Sequence, residues 1–305
     1  MKLLLLVNSS ASSVTARARV VIQKALSADH EVRTVETNRR GHATRLARAA
    51  SNDGTEAVVV LGGDGTLNEA ANGLAGSNTA LAALPGGSTN VFARTLGLPD
   101  DPVEATGSLL PALAKGHIRR VGLGSVNGRF FLFHVGIGFD AAVVEQVERR
   151  DTMKRWASHP LFAYCALDTW IRHYDRSRPR MAVHLPNGSV VDDSYFTIVF
   201  NTNPYTYLGT RPFNLAPDAG LDRGLVVLAI RTLSAVPFLT LVASGLMSGK
   251  HVRHSRHTAY RTDLASATVS GYGPVPYQVD GDYLGEAEHL EFRHEPDVLP
   301  LVMPT

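Results

Sequence analysis

One cysteine among 305 residues, Cys165, excludes an intramolecular disulfide and fits a reducing compartment. A lone thiol of this kind reads first as a small buried hydrophobe. Long apolar runs are missing too, since no stretch reaches the roughly 18 residues that cross a bilayer. At the N-terminus Lys2 precedes only Leu3 to Val7, short of the roughly 7–15 apolar residues of a secretory segment, so "MKLLLLVNSS" reads as a buried first strand. The expected location is the cytoplasm, at most peripheral at the inner face of a membrane. Excess charge is absent as well: 30 Lys+Arg stand against 28 Asp+Glu, which gives no bulk attraction for nucleic acid. Two nucleotide signatures are also lacking, the P-loop with its Gly-Lys-Ser/Thr and the GxGxxG turn.

What the chain does have is 44% hydrophobic residues, enough for one large core or two ordinary ones, and two domains are favoured. Residues 1–117 alternate short apolar runs with helical patterns. Strands are expected at 2–8, 30–36, 57–61 and 79–84, and helices at about 12–27, 41–51, 66–75, 89–97 and 101–115. Continuous apolar strands separated by helices predict a doubly wound parallel α/β sheet. From 118 to 294 the texture becomes β-rich. Asn127-Gly128 and "HLPNGSV" mark hairpins, and residues 139–176 read as a helical insertion rich in aromatics and in Arg and Lys. The last run, 295–305, is a candidate to return to the first domain.

Three constellations can carry chemistry. In "VVVLGGDGTLNEAANGL" a strand enters Gly62, Gly63, Asp64 and Gly65 and then a helix, the junction at which parallel sheets bind ligands. Glycines there let backbone N–H groups approach a phosphate, and the helix start adds partial positive charge. The structural alternative is a capping box, with Thr66 as N-cap and Glu69 reaching back. One strand later "LPGGSTNVFAR" repeats the design with Gly87, Ser88, Thr89 and Asn90, so two adjacent loops could hold one polyphosphate. Far along the chain, "VDGDYLGE" places Asp280 and Asp282 around Gly281, which suits either a general base or an Asp-Gly hairpin turn. The basic run "KHVRHSRH" spaces His251, His254 and His257 three apart; a solvated face meeting anionic headgroups is favoured there over a metal site.

Taken in order, "GGDGTLNEAANGL", "LPGGSTNVFAR", "GIGFDAAVV" and "VDGD" resemble the soluble diacylglycerol kinase catalytic family, which includes bacterial lipid kinases and sphingosine kinases, with NAD kinase a distant relative. The resemblance spans nearly the whole chain. It implies an N-terminal α/β nucleotide-binding domain, a C-terminal β-sandwich-like domain that holds the lipid, and an active site in the cleft between them. By position it implies that Gly62, Gly63, Asp64, Gly65, Thr66, Leu67, Asn68 and Glu69 hold ATP, together with Asn8, Thr37, Gly87 and Ser88. The family's acid pair, Asp-Gly-Glu, is Asp280-Gly281-Asp282 here, and either carboxylate could be the base. Three features depart from the pattern. Val91 replaces an Asp after the second loop, a Gly-rich run is reduced to "YLGTRPF", and Arg223 stands where an Asp is usual, leaving Asp222 as a substitute metal ligand.

The resulting expectation is an ATP- and Mg2+-dependent kinase that phosphorylates a lipid alcohol, with diacylglycerol the first substrate. Residues 149–176 would form the lipid mouth or an ordinary helical cover. The implied partners are ATP, the lipid, the membrane surface and, left open, a second copy of the chain; nucleic acid is not among them. The alternatives are an NAD kinase-like small-molecule kinase and a nucleotide-binding regulatory protein without turnover, the latter motivated by Val91 and Arg223.

Overall fold

Four short apolar runs set the architecture of the first unit. The computed structural model describes residues 1–150 and 158–304, and its contacts divide the chain into Met1–Leu123 with Pro296–Thr305, and Gly124–Glu295. In the first unit β1 (Lys2–Val7), α1 (Ala16–Ser27), β2 (Glu31–Glu36), α2 (His42–Asn52), β3 (Ala57–Gly62), α3 (Asp64–Leu74), β4 (Ala80–Pro85), α4 (Val91–Thr95) and α5 (Pro102–Ala114) follow one another. The strands are parallel in the order β2-β1-β3-β4, and Leu301 near the C-terminus pairs in parallel with Leu81 of β4. Helical crossovers cover both faces of a parallel sheet. For this reason "LLLLV", "AVVVLG" and "ALAALP" are buried without polar alternation. β2 lies at the edge and exposes Glu31, Arg33 and Glu36, charges that discourage pairing with another sheet.

Helix starts follow their caps. α1 begins at Ala16 rather than near 12 because Thr15 is its N-cap, the hydroxyl accepting from the Ala18 N–H at 3.1 Å. α5 begins at Pro102, where Asp101 accepts from the N–H groups of Val103 and Glu104, both at 2.9 Å.

The chain enters the second unit within β5 (Ile118–Val126). There follow β6 (Arg129–Phe131), β7 (His134–Ile137), α6 (Phe139–Glu148), α7 (Ser158–Asp168) and a π-helical turn at Thr169–His173. The expected helical insertion is thus a broken one, and Lys154, Arg155 and Trp156 of the proposed lipid mouth lie outside the described residues. Next come β8 (Met181–His184), β9 (Val190–Ser194), β10 (Phe196–Phe200), β11 (Thr206–Leu208), β12 (Arg211–Phe213) and β13 (Leu225–Ile230). The unit is completed by α8 (Ala235–Met247), α9 (Lys250–His254), β14 (Thr258–Leu264), β15 (Ser266–Val279) and the first part of β16 (Asp282–Val302), whose end from Pro296 belongs to the first unit.

An antiparallel sheet runs β14-β13-β10-β7-β15-β16, with β8 added to β15 and β9 to β8. Asn127 and Gly128 turn the β5–β6 hairpin at φ 47° and 81°, the left-handed conformation those residue types tolerate. Period-two alternation divides β10 and β13 between two cores. Val199, Val227 and Ala229 pack among the strands, whereas Phe196, Ile198, Phe200, Val226, Leu228 and Ile230 pack against the helices. Strands buried on both faces therefore belong to this unit as well. The fold is an α/β unit joined to a β-sandwich-like unit that carries helices. Among the described residues no helix is long and apolar enough to cross a membrane.

Candidate functional site

The glycines of the first unit make room, first of all, for one another. A Cβ on Gly86 would come within 2.8 Å of the Gly62 Cα, and one on Gly87 within 2.9 Å of the Gly63 Cα. The loops after β3 and β4 therefore meet backbone to backbone, where no side chain fits. Asp64 joins them a second time, its carboxylate accepting from the Val91 N–H at 2.9 Å and the Phe92 N–H at 3.0 Å at the start of α4. Burial pushes the Asp64 carboxyl above its ordinary range, while those two N–H groups pull the other way. Asn90, at φ 50°, closes the second loop: its Oδ1 accepts from the N–H groups of Gly86 and Gly87, and its Nδ2 donates to Asp100.

The expected capping box at Thr66 and Glu69 does not form. α3 starts two residues earlier, at Asp64 with Gly63 as N-cap, so Thr66 is already inside the helix and its hydroxyl accepts from the Asn8 amide at 2.9 Å. Glu69 caps the neighbouring helix instead. Its carboxylate accepts from the N–H groups of Gly41 (2.7 Å) and Ala43 (3.1 Å) at the start of α2, in the loop that follows Thr37. A local sequence pattern cannot show that a better donor pair lies 26–28 residues away.

The nucleotide positions implied by resemblance separate by burial. Leu67 and Asn68 are buried in the α3 packing face, and the Leu67 N–H donates to the Gly63 carbonyl at 3.1 Å, so they pack the start of α3 rather than face its rim. Thr37 is half-buried just after β2, and its N–H donates to the Val7 carbonyl at 2.8 Å. Ser88 is exposed at the loop tip. The first-turn N–H groups of α3, at Asp64 and Gly65, have no acceptor within the helix. Asn8, Thr37, the glycine loop and Ser88 all follow the carboxyl ends of parallel strands, so this donor-rich rim fits an anionic nucleotide.

In the second unit the two acids of "VDGD" have separate surroundings. Asp280 is 5% exposed, sits at φ 49°, and accepts from the N–H groups of Leu132 (2.7 Å), Phe133 (2.9 Å) and His134 (3.1 Å). Its carboxylate is the anchor of that turn. Asp282 is half-buried at the first position of β16, on the other side of the two-residue turn. The hairpin alternative and the functional one thus coexist.

Sequence reasoning missed the polar floor of an apolar cavity in the same unit. The cavity, about 260 Å³, is walled by residues such as Phe139, Phe162, Ile198, Phe213, Phe238 and Leu241, with Asp140 and Tyr205 among its few polar groups. The Tyr205 hydroxyl donates to Asp140 Oδ1 at 2.5 Å and the Gln278 amide to Asp140 Oδ2 at 2.8 Å; the Gly281 N–H then donates to Gln278 Oε1 at 2.7 Å. A chain of hydrogen bonds thereby runs from the cavity floor to the glycine between the two acids. Burial raises the Asp140 carboxyl and holds the Tyr205 phenol well above its usual range. Gly136 makes this arrangement possible, since a Cβ there would lie 1.5 Å from Asp140 Oδ2. The signal was present in "GIGFDAAVV", where an acid opens a helix within an apolar run.

A protein-bound metal fits less well than a nucleotide. Asp222 is exposed in the loop before β13, and among the described residues no three His, Cys, Asp or Glu side chains gather as a metal site. His251 and His254 lie on and at the end of the short α9, followed by His257 in the next turn.

Comparison with known proteins agrees with this layout. Residues 2–126 match the family model described as the diacylglycerol kinase catalytic domain, and residues 134–303 match the YegS C-terminal NAD kinase beta sandwich-like domain. The chain is 28% identical over 279 residues to the diacylglycerol kinase of Staphylococcus aureus strain JH9, covering 89% of this chain and 82% of that protein. A crystal structure of a diacylglycerol kinase from Bacillus anthracis strain Sterne superposes with a TM-score of 0.76 at 21% identity, over 99% of this chain and 96% of that one. Another structure from the same organism gives the same TM-score at 23% identity. At that identity the structural likeness speaks for the fold.

Proposed function

The chain belongs to the soluble bacterial diacylglycerol kinase-like family, and from that premise we propose that it is an ATP-dependent lipid kinase acting at the cytoplasmic face of a membrane. The observation that carries this reading is the apolar cavity of the second unit. A space of about 260 Å³ walled almost wholly by aliphatic and aromatic side chains takes acyl chains and rejects a charged dinucleotide. For that reason an NAD kinase-like acceptor is disfavoured. Diacylglycerol, yielding phosphatidic acid, is the first substrate on the strength of the relatives' names.

ATP supplies the γ-phosphoryl group, with magnesium carried on its phosphates to offset their charge. The first-turn N–H groups of α3, the Thr66 and Ser88 hydroxyls and the Asn8 amide are assigned to hold the nucleotide, with Thr37 beside it. Asp64 and Glu69 support this rim through the caps they make on α4 and α2. Asp282 is assigned as the base that accepts the proton of the lipid hydroxyl as that oxygen attacks the γ-phosphorus and the bond to the β,γ-bridging oxygen breaks, releasing ADP, because the Asp280 carboxylate already serves three backbone N–H groups. Val91 does not empty the site, since its backbone N–H is held by Asp64. Purified protein incubated with labelled ATP·Mg and a panel of lipid alcohols tests the reading. Label in diacylglycerol is expected. Label in NAD alone would move the chain to the small-molecule class, and ATP binding with no labelled product would make it a regulatory protein.

A further inference from the structure

α8 carries no charged residue, and its outward face is as apolar as its inward one. Leu241, Ser244 and Gly245 are buried, whereas Val236, Leu239 and Met247 are 73%, 64% and 79% exposed. A helix that is apolar all round is normally enclosed by protein or lipid. With 13 residues α8 is about 20 Å long, short of the roughly 20 residues needed to span a bilayer, so it suits lying in an interface. The segment from α7 into the π turn repeats the pattern, exposing Tyr164, Leu167 and Ile171 at spacings of three and four.

Charge selects the occupant. Between Asp222 and Asp263 the sequence has six Lys and Arg and no Asp or Glu; Arg231 pairs with Asp193 and Arg253 with Asp218, so the cations offered on and after α9 are Lys250 and Arg256, both exposed. A second copy would bring the same positive charge against itself, whereas an anionic headgroup layer complements it. The two exposed rows also belong to the helices that wall the apolar cavity, α7 through Phe162 and Ala166 and α8 through Phe238 and Leu241. A protein partner would cover that wall; a bilayer would supply it with lipid.

We propose that the outer face of α8, with the exposed row of α7, docks on a bilayer containing anionic lipid, Lys250 and Arg256 on and just after α9 lying at headgroup level. This deepens the lipid-kinase reading, on which the cargo's identity rests, while the docking itself is measured without turnover. The test is co-flotation of the intact protein with phosphatidylglycerol-containing vesicles and with pure phosphatidylcholine vesicles. Binding to the anionic vesicles is expected, weakened by salt, and reduced about tenfold or more in Leu239→Glu/Met247→Glu, whose exposed positions leave the thermal midpoint unchanged. Equal binding by the double variant, or no binding by the wild type, would overturn the proposal. So would a wild-type dimer in sedimentation that the double variant dissolves. A parallel assay on detergent-dispersed, short-chain diacylglycerol separates the two readings. Activity retained there by the double variant leaves the kinase intact and places the loss in docking, whereas absence of activity in both proteins counts against the kinase alone.

Discussion

Asp280 and Asp282 stand two residues apart and are separated by what their neighbours ask of them. Asp280 serves three backbone N–H groups from a buried, left-handed position, so Asp280→Asn is expected to lower unfolding stability by about 2–4 kcal/mol in denaturant titration. Asp282→Asn, on a half-buried strand start, is expected to leave stability within about 0.5 kcal/mol of wild type. The sequence alone made the two acids interchangeable, because a two-residue hairpin turn does not reveal which carboxylate faces inward. His134 makes a second distinction. Its ring stacks on Tyr205 at 4.3 Å, its Nδ1 is buried with no hydrogen-bond partner among the described residues, and burial pushes its pKa from 6.5 down to about 3. The unfolded chain therefore takes up a proton near pH 6.5 that the folded ring refuses until about pH 3. Stability is lost as pH falls through that window, at up to about 1.4 kcal/mol per pH unit from this residue. Denaturant titrations between pH 7 and pH 4 are expected to show a shallower acid loss in His134→Phe than in the wild type.

Elements were legible where their cause is local. The parallel strands of the first unit follow from unbroken apolar runs, and the hairpin at Asn127-Gly128 from two residues that accept positive φ. The caps that Asp64 and Glu69 make were not legible, because the N–H groups they accept from lie elsewhere in the chain: Asp64 caps α4 and Glu69 caps α2, while the pattern Thr66-x-x-Glu69 pointed inward to α3. Glu69→Ala is accordingly expected to cost about 1 kcal/mol and to speed amide exchange at Gly41 and Ala43, leaving the first turn of α3 unaffected. Faster exchange confined to residues 64–68 would restore the capping box. The glycines after β3 carry the same lesson. Their positions suggested room for a phosphate, and the first atoms a Cβ would meet belong to Thr66 at Gly62 and to Gly87 at Gly63.

For the molecule as a whole, sequence motifs pointed to a nucleotide rim and an acid turn, but the apolar cavity had no motif. It arises where alternate residues of β10 and β13 face helices α6, α7 and α8, a relation that only the assembled sheet creates. If the cavity holds the acyl chains, filling it should block the lipid and spare the nucleotide. Ala166→Trp is expected to lower phosphorylation of diacylglycerol about tenfold or more, with ATP affinity, read by fluorescent nucleotide titration, unchanged. The most direct measurement is the initial rate of γ-phosphate transfer from ATP·Mg to diacylglycerol in anionic vesicles by the wild type and by Asp282→Asn, with the fold of both verified. Labelled phosphatidic acid from the wild type, and a fall of about 10²–10⁴-fold in kcat in the variant with little change in KM, is the expected result. A folded wild type that labels no lipid, or an Asp282→Asn protein that turns over at the wild-type rate, would contradict it.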